Sequence, residues 1–157
     1  MKMHRMVLVA AAVGALALAG SAFGQSAHSS AATVVTTKKS PLYGAILVTS
    51  SGQTLYLDSA DKPGHPACTG GCLSIWPPLK TSGTPKAAGS AKSSLLGTTK
   101  ITGGKQVTYD GHQLYTFASD SANSPTSGEG RSGFYVVGPS GKAITKSTKP
   151  PSGGIGY

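Results

Sequence analysis

The amino-acid sequence predicts a small all-β protein: an antiparallel meander or sandwich-like domain made of two related repeats, with little helix. Short runs of alternating apolar and polar residues recur along the chain and are separated by Gly-containing turns, which is typical of half-buried strands. Helical periodicity extends for one or two turns at most, around residues 73–76. A ten-residue pattern also occurs twice, which indicates duplicated β units.

Residues 1–24 have the features of a secretory signal: Lys2 and Arg5 precede an apolar run, and small residues precede Gln25. No second apolar stretch of about 18 residues follows, so we expect no transmembrane span after cleavage. The signal contains Leu-Ala-Gly followed by Ser21, where a bacterial lipobox would have the acylated Cys, so we expect no lipid anchor. The mature chain is therefore expected to be exported, either to the periplasm or outside the cell.

Composition divides the rest of the chain into segments. The predicted order is a flexible lead-in at 25–40, a two-repeat β domain at 41–146 and a disordered tail at 147–157. Within the domain, the repeats cover about 41–79 and 98–146, and the Ser-, Gly- and Lys-rich stretch 80–97 is expected to be a mobile connection.

Turn residues locate the strands. The stretch TTKITGGKQVTYDGHQLYTFASD contains Gly103-Gly104 and Asp110-Gly111, which both supply the positive φ that tight hairpin turns need, so it predicts a three-stranded meander. The stretch YGAILVTSSGQTLYLD predicts two further strands around Ser51-Gly52, and FYVVGPSGKAIT predicts a last pair around residues 139–141.

The repeated pattern is Gly-x-x-Leu-Tyr-x-x-x-x-Asp, which occurs as GQTLYLDSAD and again, 59 residues later, as GHQLYTFASD. Two copies are too few for a solenoid or a propeller. We therefore expect the two halves to pack together as one sheet system with a small core.

The second copy contains the motif Tyr-x-(Phe/Trp/Tyr)-x-x-Asp, at Tyr115, Phe117 and Asp120. With YDGHQLY before it and CTGGCLSIWPPL upstream, the chain resembles the bacterial secreted-repeat lipoproteins that carry this motif. The first copy keeps Tyr56 and Asp61 but has Asp58 at the aromatic position, and the lipobox Cys is missing. That family has no established activity, so the resemblance implies a compartment and an architecture but no reaction.

Cys68 and Cys72 are the chain's only cysteines. In an exported chain they favour a disulfide, and the two glycines between them allow the backbone to bend into bonding distance. The alternative is a reduced pair that binds copper or carries electrons, with His65 as a further ligand, since thiolates suit Cu(I). Copper-delivery proteins of the thioredoxin fold need alternating strands and helices, which this sequence lacks. We therefore expect neither a metal nor another cofactor, and copper stays the alternative.

The only tryptophan, Trp76, stands before two prolines, which end regular structure. We expect its large ring to cover one end of the sheet, and a ligand platform is the alternative. Asp61 and Asp120 follow their strands at the start of turns, where a carboxylate can accept backbone N–H bonds. A calcium site at Asp58 and Asp61 and a hydrolase using two carboxylates are weaker alternatives.

The formal net charge is +9, but the lysines are scattered singly, so no nucleic-acid partner is expected. The glycines of residues 128–133 have the spacing of a dinucleotide site without the strand and helix such a site needs. The predicted function is therefore an exported, non-catalytic binding or structural envelope module with an unknown partner. The alternative is a periplasmic copper or electron-transfer accessory that uses Cys68 and Cys72.

Overall fold

A computed structural model of the chain describes residues 32–123 and 125–145. The predicted signal, residues 25–31 of the lead-in and the tail lie outside this part. The described elements are β1 (Val34–Ser40), β2 (Gly44–Thr49), β3 (Tyr56–Asp58), α1 (Cys72–Ile75), β4 (Lys80–Thr81), β5 (Lys86–Ala87), β6 (Leu96–Ile101), β7 (Gly104–Tyr109), β8 (His112–Gln113) and β9 (Phe134–Val136). The predicted fold class is confirmed: strands dominate, and α1 is a single turn. No helix in the described ranges is long and apolar enough to cross a membrane.

The predicted flexible lead-in is wrong for residues 34–40, because these form β1. This strand pairs antiparallel with β2 from Val35 opposite Thr49 to Ser40 opposite Gly44. Val35 is completely buried in the core, whereas Lys38 and Lys39 face solvent. The strand escaped prediction because its threonines and lysines resemble the polar composition of a linker, while its β-branched residues suit a pleated, half-buried surface.

The three-stranded meander is confirmed. β6 pairs antiparallel with β7, and β7 continues through Asp110-Gly111 into β8. Asp110 has a φ of 51° and Gly111 a φ of 82°, so this turn uses the positive φ that the sequence predicts. The first turn is Thr102-Gly103, one residue earlier than predicted, because Gly104 is already paired with Ile101.

The connection between the repeats contains regular structure. β4 pairs antiparallel with β7, and β5 pairs with β1 in a short parallel bridge within an otherwise antiparallel fold. The Ser90 backbone N–H also donates to Thr37 Oγ1 at 3.0 Å. The segment 80–97 is therefore hydrogen-bonded to both repeats, and its mobility stays a prediction.

The two halves exchange their last strands. We call residues 34–81 the first half and residues 96–144 the second half. β3 of the first half pairs antiparallel with β9 of the second half. In return, Tyr115 of the second half forms a bridge with Pro78 of the first half. Each half thus completes the sheet of the other.

Backbone hydrogen bonds repeat across this exchange with nearly equal lengths. Leu47 N–H donates to Val137 O at 2.8 Å, and its counterpart Val107 N–H donates to Leu79 O at 2.8 Å. At the centre, the Tyr56 and Tyr115 backbones each donate to the other's carbonyl oxygen at 2.9 Å. The halves are therefore related by an approximate two-fold axis that passes between these two tyrosines.

The core consists of two clusters. One is largely aromatic and contains Tyr56, Trp76, Tyr115, Phe117 and Phe134. The other is mainly aliphatic and includes Val35, Leu47, Leu55, Val107 and Leu114. Adjacent residues of one strand, such as Tyr56 and Leu57, enter different clusters because successive side chains of a strand point to opposite faces. This arrangement gives the domain its sandwich-like character.

Candidate functional site

The repeated tyrosines and aspartates meet across the two-fold axis. The Tyr56 hydroxyl donates to Asp120 Oδ2 at 2.7 Å, and the Tyr115 hydroxyl donates to Asp61 Oδ2 at 3.0 Å. Each motif is therefore completed by the other repeat. The spacing within each copy is visible in the sequence, but no sequence signal indicates this crossed pairing.

The second oxygen of each carboxylate holds the loop that follows it. Asp61 Oδ1 accepts the Ala67 backbone N–H at 2.6 Å, and Asp120 Oδ1 accepts the Ser127 backbone N–H at 2.9 Å. The Ser127 hydroxyl adds a bond to the same oxygen at 2.9 Å. Each carboxylate thus joins a buried tyrosine of one half to a surface loop of the other, which is a structural role.

Burial changes the ionisation of these groups. Burial first, and the neighbouring Asp120 carboxylate second, raise the pKa of the Tyr56 phenol far above its ordinary value. The pKa of Tyr115 is raised by burial and by Asp61. Both phenols therefore stay neutral and act as hydrogen-bond donors over the physiological pH range. Burial also raises the pKa of Asp61, although its hydrogen bonds from Ala67 and Tyr115 oppose the shift.

Asp58 occupies the position at which the first copy lacks the motif's aromatic residue. Its side chain is buried, and Oδ1 accepts the Ala60 backbone N–H at 2.9 Å. The corresponding residue of the second half, Phe117, instead packs against Trp76 with ring centroids 4.5 Å apart. The two copies therefore share the Tyr–Asp bond but not the aromatic contact.

Trp76 lies in the junction between the halves. Its ring is only 3% exposed and stacks on Phe134, with centroids 3.8 Å apart and planes 4° from parallel. The Tyr56 ring packs against it in an edge-to-face arrangement, with ring centroids 5.3 Å apart. Phe134 corresponds to Trp76 in the repeat, so the two equivalent rings stack on each other. With its faces covered by aromatic neighbours, Trp76 does not present a platform to solvent.

The predicted disulfide is confirmed between Cys68 and Cys72, whose Cα atoms are 5.4 Å apart. It closes the loop that leads into α1, and Cys68 is buried against the aromatic cluster. His65 is exposed. In residues 32–123 and 125–145, no three His, Cys, Asp or Glu side chains come together as metal ligands would. The copper alternative stays a prediction, and it requires the disulfide to be reduced first.

A groove of about 930 Å³ lies beside the disulfide loop. Its apolar walls come from Pro66, Leu73, Pro77, Pro78 and Ile101. Gln106, Lys80 and Lys100 add polar groups, and Gln106 is fixed because its Nε2 donates to Leu114 O at 2.9 Å. This groove was not predicted from the sequence, because its lining comes from segments far apart in the chain. The only sequence signals near it are the Gly-Gly and Pro-Pro pairs around α1.

The five carboxylates of the described chain are used elsewhere, and none lines the groove. Three of them hold the turns described above. Glu129 Oε2 accepts the Val136 backbone N–H at 2.6 Å, and Asp110 Oδ2 pairs with Lys142 Nζ at 3.1 Å. The sequence-predicted candidates thus divide into a crossed Tyr–Asp framework and a disulfide loop that borders the groove.

These features define a class of protein: a two-repeat β domain whose halves exchange strands and are joined by crossed Tyr–Asp bonds. The family model described as a secreted repeat of unknown function matches residues 33–80 and 98–135. The chain belongs to this family, as the sequence motif indicates. The two matched segments fall in the two halves of the fold, which agrees with the predicted duplication. No curated protein and no solved structure matches the chain.

Proposed function

We propose that the protein is an exported, non-catalytic binding module that holds a small ligand in the groove beside the Cys68–Cys72 loop. Membership of a secreted family supports export, and the periplasm and the extracellular space both fit this proposal. The crossed Tyr–Asp bonds are the framework, because they hold the surface loops on a common core.

The groove is the observation that carries the proposal. Its volume of about 930 Å³ lies in the range of small-molecule sites, which are mostly apolar with a few fixed polar groups. The disulfide restrains one wall, and Pro77-Pro78 restrains another through their fixed φ angles. Such a site binds with little ordering cost because its walls are already in place.

Most of the acidic side chains already accept backbone hydrogen bonds, which supports a role without catalysis. A general acid or base must reach the substrate, usually within hydrogen-bond distance. Asp58, Asp61 and Asp120 instead accept bonds from their own loops, and Glu129 accepts a backbone N–H of β9. Hydrogen bonding of this kind fixes structure and leaves the groove without a carboxylate.

The proposal is tested by recording amide NMR spectra of the exported protein with four probes. These are naphthalene-2-carboxylate, naphthalen-2-ylmethanol, naphthalen-2-ylmethylammonium and octanoate. We expect at least one probe to shift the amide signals of Leu73, Ile101 and Thr102, which line the groove.

The matched variants are Thr102→Trp, which places a large ring at the groove, and Ser50→Trp, which places it in an exposed turn outside the groove. Binding should disappear in the first variant and persist in the second. If no probe shifts the groove amides at millimolar concentration, or if Thr102→Trp binds like the parent, the proposed function is wrong.

A further inference from the structure

The place that the two-fold axis relates to the groove is filled by an aromatic side chain. The β6–β7 hairpin at the groove turns through Thr102-Gly103, whereas the corresponding β1–β2 hairpin turns through residues 41–43. Tyr43, in that longer turn, is partly buried and packs against the aromatic cluster. At the groove, neither Thr102 nor Gly103 supplies a ring.

A carboxylate accompanies this ring. Glu129 accepts the Val136 backbone N–H at 2.6 Å. Burial is the main cause that raises the pKa of the Tyr43 phenol, and the nearby negative charge of Glu129 raises it further. The Arg131 N–H bond to Gly128 O matches the Leu73 N–H bond to Gly70 O, both at 3.1 Å, so the counterpart of Glu129 is Gly71. Gly71 has no side chain to fill the groove.

Two further residues at the groove differ from their counterparts at the related position. Pro78, the counterpart of Val136, has no backbone N–H, so an inward carboxylate there would lack the partner that Glu129 has. Gln106 stands where the other half has the core residue Ile46. The groove thus lacks the ring and the carboxylate that are present at the related position, and it has a polar group at its base.

The charged side chains at the groove are both positive. Lys80 and Lys100 line it, and no acidic side chain of the described residues does. A ligand that supplies the ring and the negative charge missing at this position would therefore meet apolar walls and two ammonium groups. Apolar burial would provide affinity, and the lysines would select for negative charge.

We infer that the groove binds a planar aromatic carboxylate, with its ring against Leu73, Pro78 and Ile101 and its carboxylate toward Lys80 and Lys100. This inference rests on the proposed function, because it names the ligand chemistry of the same groove. The ring takes the place that Tyr43 fills at the position related to the groove by the two-fold axis.

The test measures the affinities of the four probes by NMR titration. We expect naphthalene-2-carboxylate to bind roughly tenfold more tightly than the neutral alcohol, since each partly exposed ion pair contributes up to about fivefold. Octanoate should bind more weakly than the naphthoate because it lacks the flat ring. The ammonium probe should bind more weakly than the alcohol.

Charge variants assign the preference to the two lysines. In the double variant Lys80→Gln/Lys100→Gln, the affinity for the naphthoate should fall to that for the alcohol. The affinity for the alcohol should stay constant. Lys39→Gln is the matched control, because Lys39 is the exposed counterpart of Lys100 in the β1–β2 hairpin. It should leave both affinities unchanged.

The outcomes separate this inference from the proposed function. Equal binding of the acid, the alcohol and the amine, or an octanoate that binds as tightly as the naphthoate, would overturn the ligand class and leave a binding groove. An acid preference that survives the double lysine variant would also overturn it. Absence of binding by all four probes would overturn both proposals.

Discussion

The two halves of the molecule share a backbone plan and differ in how they finish their surfaces. The first half ends in a disulfide loop and two prolines beside an open groove. The second half ends in a loop held by Glu129, and Tyr43 of the first half packs beside this loop against the aromatic cluster. The shared part is the interface between the halves, where the Tyr–Asp bonds cross. The repeats have therefore kept the contacts that join them and diverged where a ligand could bind.

The largest expected effect is at the stacked rings on the two-fold axis. We expect Trp76→Ala and its counterpart Phe134→Ala each to reduce the free energy of unfolding by about 3–5 kcal/mol, because both remove a buried ring from a packed core. Urea unfolding followed by circular dichroism measures this loss. Ile75→Ala, at a side chain that is 54% exposed, should cost far less. A small loss at one of the two rings would show that the halves do not depend equally on the stack.

The crossed Tyr–Asp bonds should couple across the halves. In a double-mutant cycle, Tyr56→Phe and Asp120→Asn should give a coupling energy of about 1.5–3 kcal/mol, as for a hydrogen bond to a charged group. Tyr56→Phe with Asp61→Asn, the pair within one repeat, should couple by less than about 0.5 kcal/mol. Stability measured by urea unfolding provides both values. Stronger coupling within a repeat than between repeats would contradict the crossed arrangement.

The disulfide distinguishes the first half from the second and should have a moderate effect. Replacing both Cys68 and Cys72 by Ser should reduce the free energy of unfolding by roughly 2 kcal/mol, because the bond closes a loop of only five residues. Thermal unfolding measures the loss, and intact mass after alkylation without reductant should show no added group on the parent. Two added groups would revive the copper alternative.

The smallest expected effect is a pH dependence specific to the second half. Burial raises the pKa of Glu129 above its ordinary value. The folded state therefore binds this proton more tightly than the unfolded state does, and the resulting stability is present at low pH and lost as pH rises through the raised pKa. Glu129→Gln should remove this part of the slope of stability against pH, which begins near the ordinary glutamate pKa of about 4.3 and extends above it. Asp61, whose pKa is also raised, serves as the comparison through Asp61→Asn.

Local chemistry was predictable from the sequence because its causes lie within a few residues. Asp110-Gly111 predicted the β7–β8 turn, since the turn needs a positive φ at both positions. Cys68 and Cys72 predicted their own bond because the intervening glycines let the chain bend. The repeated Leu-Tyr pattern predicted duplicated strands, and the family match to both halves agrees with it.

Relations between distant segments were not predictable in this way. Spacing placed Asp61 five residues after Tyr56 but could not show that its partner is Tyr115. β1 was not predicted because its sequence is mostly polar, although one face of the strand is buried. The groove was not predicted because it lacks side chains that are present at the position related to it by the two-fold axis, and this relation is not visible in the sequence.

The strand exchange also sets the order in which this protein can fold. β3 pairs with β9, so Tyr56 pairs with Val136, which lies 80 positions further along the chain. Pairings this remote in sequence form slowly, because a long loop must close before the contact stabilises it. Neither half can complete its sheet until the C-terminal part of the chain is available. We therefore expect this member of a secreted family to complete its sheets only after its last strand is available, which is compatible with export of an unfolded chain.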